Sequence, residues 1–168
     1  RAALEAPLPV GDPDARRAHF FRKYNLERST RVEEAYEPSE ALRQQMAQID
    51  APQTWRVLTE AWCVDSAFSL PVIARVAALN DAVTLVVLPR DAHLDVMDRY
   101  LTGGSRSIPK LVAFDADGNE LFMWGPRPAA GAAFRQSLLE QGMDKPLISA
   151  RMVDWYEAGG WQKVEGEL

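Results

Sequence analysis

Trp55-Arg56-Val57-Leu58-Thr59-Glu60-Ala61-Trp62-Cys63-Val64-Asp65-Ser66 is the stretch on which the fold turns. Trp55 to Ala61 reads as a buried strand, and Ser66 to Leu79 as a helix carrying Pro71 within it. Cys63, the single cysteine of the chain, stands at the junction. A cysteine at a helix start faces unpaired backbone N–H groups and the positive end of the helix dipole. Both favour thiolate and pull the pKa below the free value of ~8.5. Asp65 works against them by placing a carboxylate beside the developing charge. The expectation is a reactive or partner-contacting thiol of blunted acidity, against the plainer reading of a small buried residue.

Downstream, short apolar runs alternate with helical stretches. Val83 to Leu88 is a strand rich in β-branched residues, and Leu94 to Leu101 is a short helix stopped by Gly103-Gly104. Leu111 to Phe114 and Glu120 to Trp124 flank Asp115-Ala116-Asp117-Gly118-Asn119 and form a hairpin. Ala129 to Glu140 is a helix ending near Gly142, and a last helical stretch follows Pro146. The core order is therefore β-α-β-α-β-β-α, a parallel part followed by an antiparallel hairpin. Upstream, the first fifty residues are helical. Asp12-Pro13 is a helix start, with Phe20, Tyr24, Val32 and Ala35 as one buried stripe. Ser39 caps a second helix whose Leu42, Met46 and Ile49 share a face. The expected layout is a single domain over 1–168: a helical extension at 1–50, a core at 51–142 and a C-terminal helical extension at 143–168.

Composition narrows the function. At 168 residues the chain can bury a core without staples, and 47% hydrophobic with 26% charged residues is ordinary globular usage. Nineteen Lys and Arg against 24 Asp and Glu give a net charge of −5 with the signs interspersed, so no nucleic-acid footprint exists. No apolar run approaches the ~20 residues of a membrane span. Arg1 to Val10 carries no apolar core segment of a signal peptide. One unpaired thiol fits a reducing compartment, and the expected localisation is cytoplasmic. His19 and His93 have no second ligand at metal spacing, so neither a metal site nor a cofactor is expected. Trp124, Trp155, Tyr156 and Trp161 pack the terminal extensions onto the sheet, or, if a subset is exposed, form a partner or dimer contact.

The element order, with Trp62-Cys63 entering the first core helix, resembles the thioredoxin fold, an α/β arrangement of a central mixed sheet with flanking helices. Pro71 lies where thioredoxins kink their active-site helix, Ile108-Pro109 matches their cis-proline loop, and Gly125 matches the glycine loop of the substrate groove. Glu60-Ala61-Trp62-Cys63-x-Asp65, Gly104-Ser105-Arg106-Ser107-Ile108-Pro109-Lys110 and Trp124-Gly125-Pro126-Arg127-Pro128 are similar to a bacterial thioredoxin-like subgroup with an N-terminal helical extension.

The resemblance implies a site around Cys63 with Trp62, Asp65 and Ser66 as neighbours. Its groove would be built by Ser107, Ile108, Pro109, Gly125, Arg106 and Arg127. Ser66 stands where the family carries its second sulfur, and a hydroxyl cannot resolve a mixed disulfide. Val57 stands where thioredoxins usually keep a buried acid, and Glu60 is a poor substitute on the opposite strand parity. Arg106 and Arg127 would either hold a carboxylate, as in glutathione, or stabilise a thiolate or sulfenate, or else be solvated loop arginines or pair with Asp65 and Glu60. Two functions follow. One is a monothiol oxidoreductase whose substrate is a thiol or disulfide (glutathione or protein) and whose resolving thiol is external. The other is a redox-inactive module that holds a peptide or protein partner in the cis-proline groove.

Overall fold

The computed structural model describes residues 11–168, so the expectation for Arg1 to Val10 lies outside the described residues. Four strands form one mixed sheet: β1 (Gln53–Thr59), β2 (Val83–Pro89), β3 (Lys110–Phe114) and β4 (Glu120–Trp124), in the order β2-β1-β3-β4. β1 runs parallel to β2, with Val57 opposite Val87, and antiparallel to β3, with Val57 opposite Leu111. β3 and β4 form the hairpin. In its loop the Asp115 carboxylate accepts from the N–H groups of Asp117 and Asn119, and Gly118 takes a positive φ of 85°.

The helices are α1 (Pro13–Ala35), α2 (Glu40–Met46), α3 (Val64–Ala77), α4 (Leu94–Met97), α5 (Ala129–Glu140) and α6 (Lys145–Glu157), followed by two 3₁₀ turns, Gly160–Lys163 and Glu165–Glu167. This is a thioredoxin-like fold with added N- and C-terminal helices. No helix among the described residues is long and apolar enough to cross a membrane.

Several boundaries differ from those expected. β1 ends at Thr59, because its parallel partner there is Pro89, which has no N–H to extend the ladder. α3 begins at Val64, with Cys63 as N-cap and the Cys63 carbonyl accepting from Ala67 N–H at 3.1 Å. The helix expected over Leu94 to Leu101 is only Leu94–Met97, preceded by a 3₁₀ turn at Arg90–Ala92. Beyond it Thr102 and Ser105 pair across Gly103 and Gly104, whose φ angles of 56° and 75° make a tight reversal.

The buried face of α1 is the larger correction. Phe20, Tyr24 and Ala35 are exposed, and only Val32 of the expected stripe is buried. The inner face instead carries Asn25, Ser29, Val32 and the following Tyr36. Its polar residues are there for a reason. Pro71 has no N–H for the Ala67 carbonyl four residues back, and Ser29 Oγ of α1 donates to that carbonyl at 2.9 Å. Asn25 Nδ2 donates to the Ala61 carbonyl at 3.1 Å. The extension is thus fastened to the core where the core helix leaves a carbonyl unpaired.

The main core packs Trp55, Val57 and Leu111 of the sheet against Phe68, Val72 and Val76 of α3. Trp124 and Tyr156 are buried in it, and Trp155 and Trp161 pack against it, so these aromatics tie the ends to the sheet. The C-terminal turns are clasped by charge. Glu165 accepts from Tyr36 OH at 2.7 Å and Ser39 N–H at 3.1 Å, while Glu167 accepts from Trp124 Nε1 and Ala129 N–H. Ser29→Ala leaves the Ala67 carbonyl without a donor. It is expected to lower stability by about 1–3 kcal/mol in urea denaturation, whereas a loss near zero would mean that the proline-freed carbonyl does not anchor α1.

Candidate functional site

Cys63 sits at the N-cap of α3, beyond the turn that follows β1, in a small apolar cluster with Leu58, Met97 and Ile108. It is 8% exposed, and its Sγ donates to the Ile108 carbonyl at 3.3 Å. Burial pushes the thiol pKa up, and the Asp65 charge pushes it further. The Ser66 hydroxyl and the N–H groups of Ser66 and Asp65 would serve a thiolate and pull the other way, but they do not win. The helix start gives less activation than the sequence pattern implies, because the sulfur is set inward against apolar side chains.

Asp65 is the most heavily used residue of the site. Its carboxylate accepts from Arg127 Nη2 at 2.6 Å and Nε at 3.2 Å, and from Tyr156 OH at 2.7 Å. Both charged side chains of the pair are largely buried, at 15% and 18% exposure. Tyr156 is fully buried and stacks on Phe68 with ring centroids 4.7 Å apart. Burial and the Asp65 charge drive its phenol pKa far above the usual tyrosine value. One carboxylate therefore joins the first turn of α3, the loop after β4 and the C-terminal α6.

The two arginines do not converge on the sulfur. Arg127 is engaged by Asp65, and Arg106 makes an exposed two-pronged pair with Asp98 at 2.6 and 2.8 Å. Glu60 does not pair with either; its Oε1 accepts from Asp91 N–H at 2.9 Å. Trp62 is exposed, and the Arg90 guanidinium lies 5.0 Å above its ring while donating to the Arg106 carbonyl at 3.1 Å. Ser66 is buried, and its Oγ has no hydrogen-bond partner. Val57 is buried in the apolar core, so no titratable group occupies that strand position.

The opposite wall is the 107–109 turn. Ser107 N–H donates to the Ser105 carbonyl, Ile108 and Pro109 are buried, and the Ile108–Pro109 peptide bond is cis. Gly125 lies against this turn with φ at 111°, and a Cβ there would collide with the Pro109 carbonyl oxygen. The site thus brings together Cys63, Asp65, Ser66, Ile108, Pro109, Gly125 and Arg127. It leaves Arg106 at the rim on Asp98.

Sequence reasoning missed one contributor. The sequence marks Tyr156 for packing or a partner contact, and its bond to a residue 91 positions away has no local signature. Lys110 is buried, with Nζ donating to Thr102 Oγ1 at 3.2 Å and its pKa lowered by burial.

The family model for thioredoxin matches residues 15–139, and the chain belongs to the thioredoxin family. A crystal structure of a protein of unknown function from Pseudomonas aeruginosa has the same fold, with a TM-score of 0.56 at 20% identity, covering 88% of this chain and 86% of that one. An HIV epitope-scaffold is similar with a TM-score of 0.57 at 18% identity, covering 88% of this chain and 90% of that chain. No curated protein matches the sequence.

Asp65→Asn removes the charge that raises the Cys63 pKa and leaves the Arg127 guanidinium buried without its counter-ion. The pH midpoint of Cys63 alkylation is expected to fall, and urea denaturation to register a loss of about 3 kcal/mol. An unchanged midpoint would mean that Asp65 does not act on the thiol.

Proposed function

We propose that this thioredoxin-family protein is a binding module rather than a dithiol oxidoreductase. It holds an extended peptide or protein segment beside the Ile108–Pro109 turn, with Cys63 kept as a protonated thiol in the wall. The observation that carries this reading is the Cys63 Sγ–H bond to the Ile108 carbonyl within an apolar cluster. Thiolate is the nucleophilic form, and burial together with the Asp65 charge disfavours it. Ser66 cannot resolve a mixed disulfide. Arg127 and Arg106 are each engaged by a carboxylate, which removes the two cations best suited to an anionic thiol substrate. The exposed Trp62 ring, connected through Arg90 to the Arg106 carbonyl, offers apolar contact to a partner. A lone thiol of this kind belongs in a reducing compartment, and we assign the protein to the cytoplasm.

A second reading, monothiol exchange, is favoured by one observation. Cys63 caps α3, where the N–H groups of Asp65 and Ser66 and the Ser66 hydroxyl would serve a negative sulfur. In that chemistry the Cys63 thiolate attacks a substrate disulfide, a new S–S bond forms, and the displaced sulfur leaves as thiolate. Glutathione thiolate then attacks the substrate sulfur of the mixed disulfide, forming a glutathione–substrate disulfide as Cys63 leaves as thiolate.

The two readings separate in a glutathione-coupled assay with hydroxyethyl disulfide. Turnover is expected to match that of C63S. A peptide selected from a displayed library on the intact protein is expected to shift the amide resonances of Ile108 and Gly125 and to bind C63S equally well. Turnover that disappears in C63S would overturn the binding-module reading in favour of exchange.

A further inference from the structure

A cavity of about 460 Å³ opens between α1 and the C-terminal ends of β1 and β2, meeting the candidate site at Cys63 and Ser66 and extending away from the Ile108–Pro109 turn. Its size falls within the range of small-molecule sites, about 300–1,000 Å³. Leu26 of α1, Leu70 of α3 and Val87 of β2 give it apolar walls, and Cys63 lines it as well. Two of the polar residues in the lining stand apart from the rest. Thr59 is 7% exposed and Ser66 is 4% exposed, and neither hydroxyl has a hydrogen-bond partner. Three buried side-chain polar atoms lack partners among the described residues, and two of the three line this one cavity. A buried hydroxyl without a partner is costly, so its presence calls for a group that satisfies it.

The walls also explain two exposures. Leu26 is 37% and Val87 48% exposed, large apolar side chains left uncovered around the same opening. The charges at the cavity oppose each other. Arg22 and Glu60 both line it, and Glu60 is already bound to the Asp91 N–H. Neither an anion nor a cation is selected by that pair.

We infer that this cavity binds a small neutral amphiphile, a molecule with an apolar body and one hydroxyl or carbonyl group. The body lies along Leu26, Leu70 and Val87. The head group reaches the Thr59 and Ser66 hydroxyls, each of which can donate and accept. The helical extension is what makes the site, since α1 supplies one of its walls. The inference is independent of whether a peptide occupies the groove.

The test uses 1-octanol as the probe and the intact protein, followed by amide chemical shifts in two-dimensional NMR. Saturable shifts centred on Leu26, Thr59, Ser66 and Val87 are expected. Thr59→Val, which replaces the hydroxyl with a methyl of similar shape, is expected to weaken octanol binding about three- to tenfold, and Ser66→Ala provides a second reading of the same contact. A clear weakening in either folded variant supports the site. No saturable shift up to the solubility of octanol, shifts confined to another surface, or unchanged affinity in both variants would overturn it. Peptide binding at Ile108 and Gly125 would survive that failure, which keeps the two proposals separable.

Discussion

The carboxylate of Asp65 holds Arg127 and Tyr156 at once, and the arrangement of the site follows from that contact. Asp65 lies in the first turn of α3, Arg127 in the loop after β4 and Tyr156 on α6, so one residue joins three elements that share no local sequence. A carboxylate and a guanidinium this far from water are costly to desolvate, and the two-pronged geometry with a third donor is what makes the pair tenable. Tyr156 in turn stacks on Phe68, one turn further along α3, which ties the charge cluster to the apolar core. The C-terminal helix is therefore part of the site and not an appendage to it.

The same contact decides the state of the sulfur. Asp65 is two residues from Cys63, and its charge adds to the burial that already disfavours thiolate. Arg127, the cation that would offset this, is spent on Asp65. The helix start still presents N–H groups to the sulfur, yet the thiol keeps its proton and donates a hydrogen bond to the Ile108 carbonyl. A thioredoxin-type scaffold has in this way kept its cysteine while changing what surrounds it. The apolar cavity behind the sulfur belongs to the same change, since α1 adds a wall that a bare core would lack.

Much of the fold was readable because its signals are local. β4 and α5 occupy the expected Glu120–Trp124 and Ala129–Glu140, where turn residues and apolar spacing bracket each element. Ser39 caps α2 through Leu42 N–H, as its position before the helix implied. The face of α1 was misread because Phe20 and Tyr24 carry the stronger hydrophobic signal. Asn25 and Ser29 turn inward for two carbonyls of distant segments, at Ala61 and Ala67. Within the site, Cys63, Asp65 and Ser66 announced themselves by spacing. The engagement of Arg127 by Asp65 was open between two outcomes, and Tyr156 carried no signal, because both depend on tertiary contacts spanning 62 and 91 residues.

The Asp65 cluster and burial together keep Cys63 a neutral, hydrogen-bonded thiol. Raman spectroscopy of the S–H stretching band reads that state directly, since Cys63 is the only sulfhydryl in the chain. The band, shifted by the bond to the Ile108 carbonyl, is expected to persist as pH is raised through the free-thiol value of about 8.5. Its disappearance below that pH would contradict the account and return Cys63 to the class of activated nucleophiles.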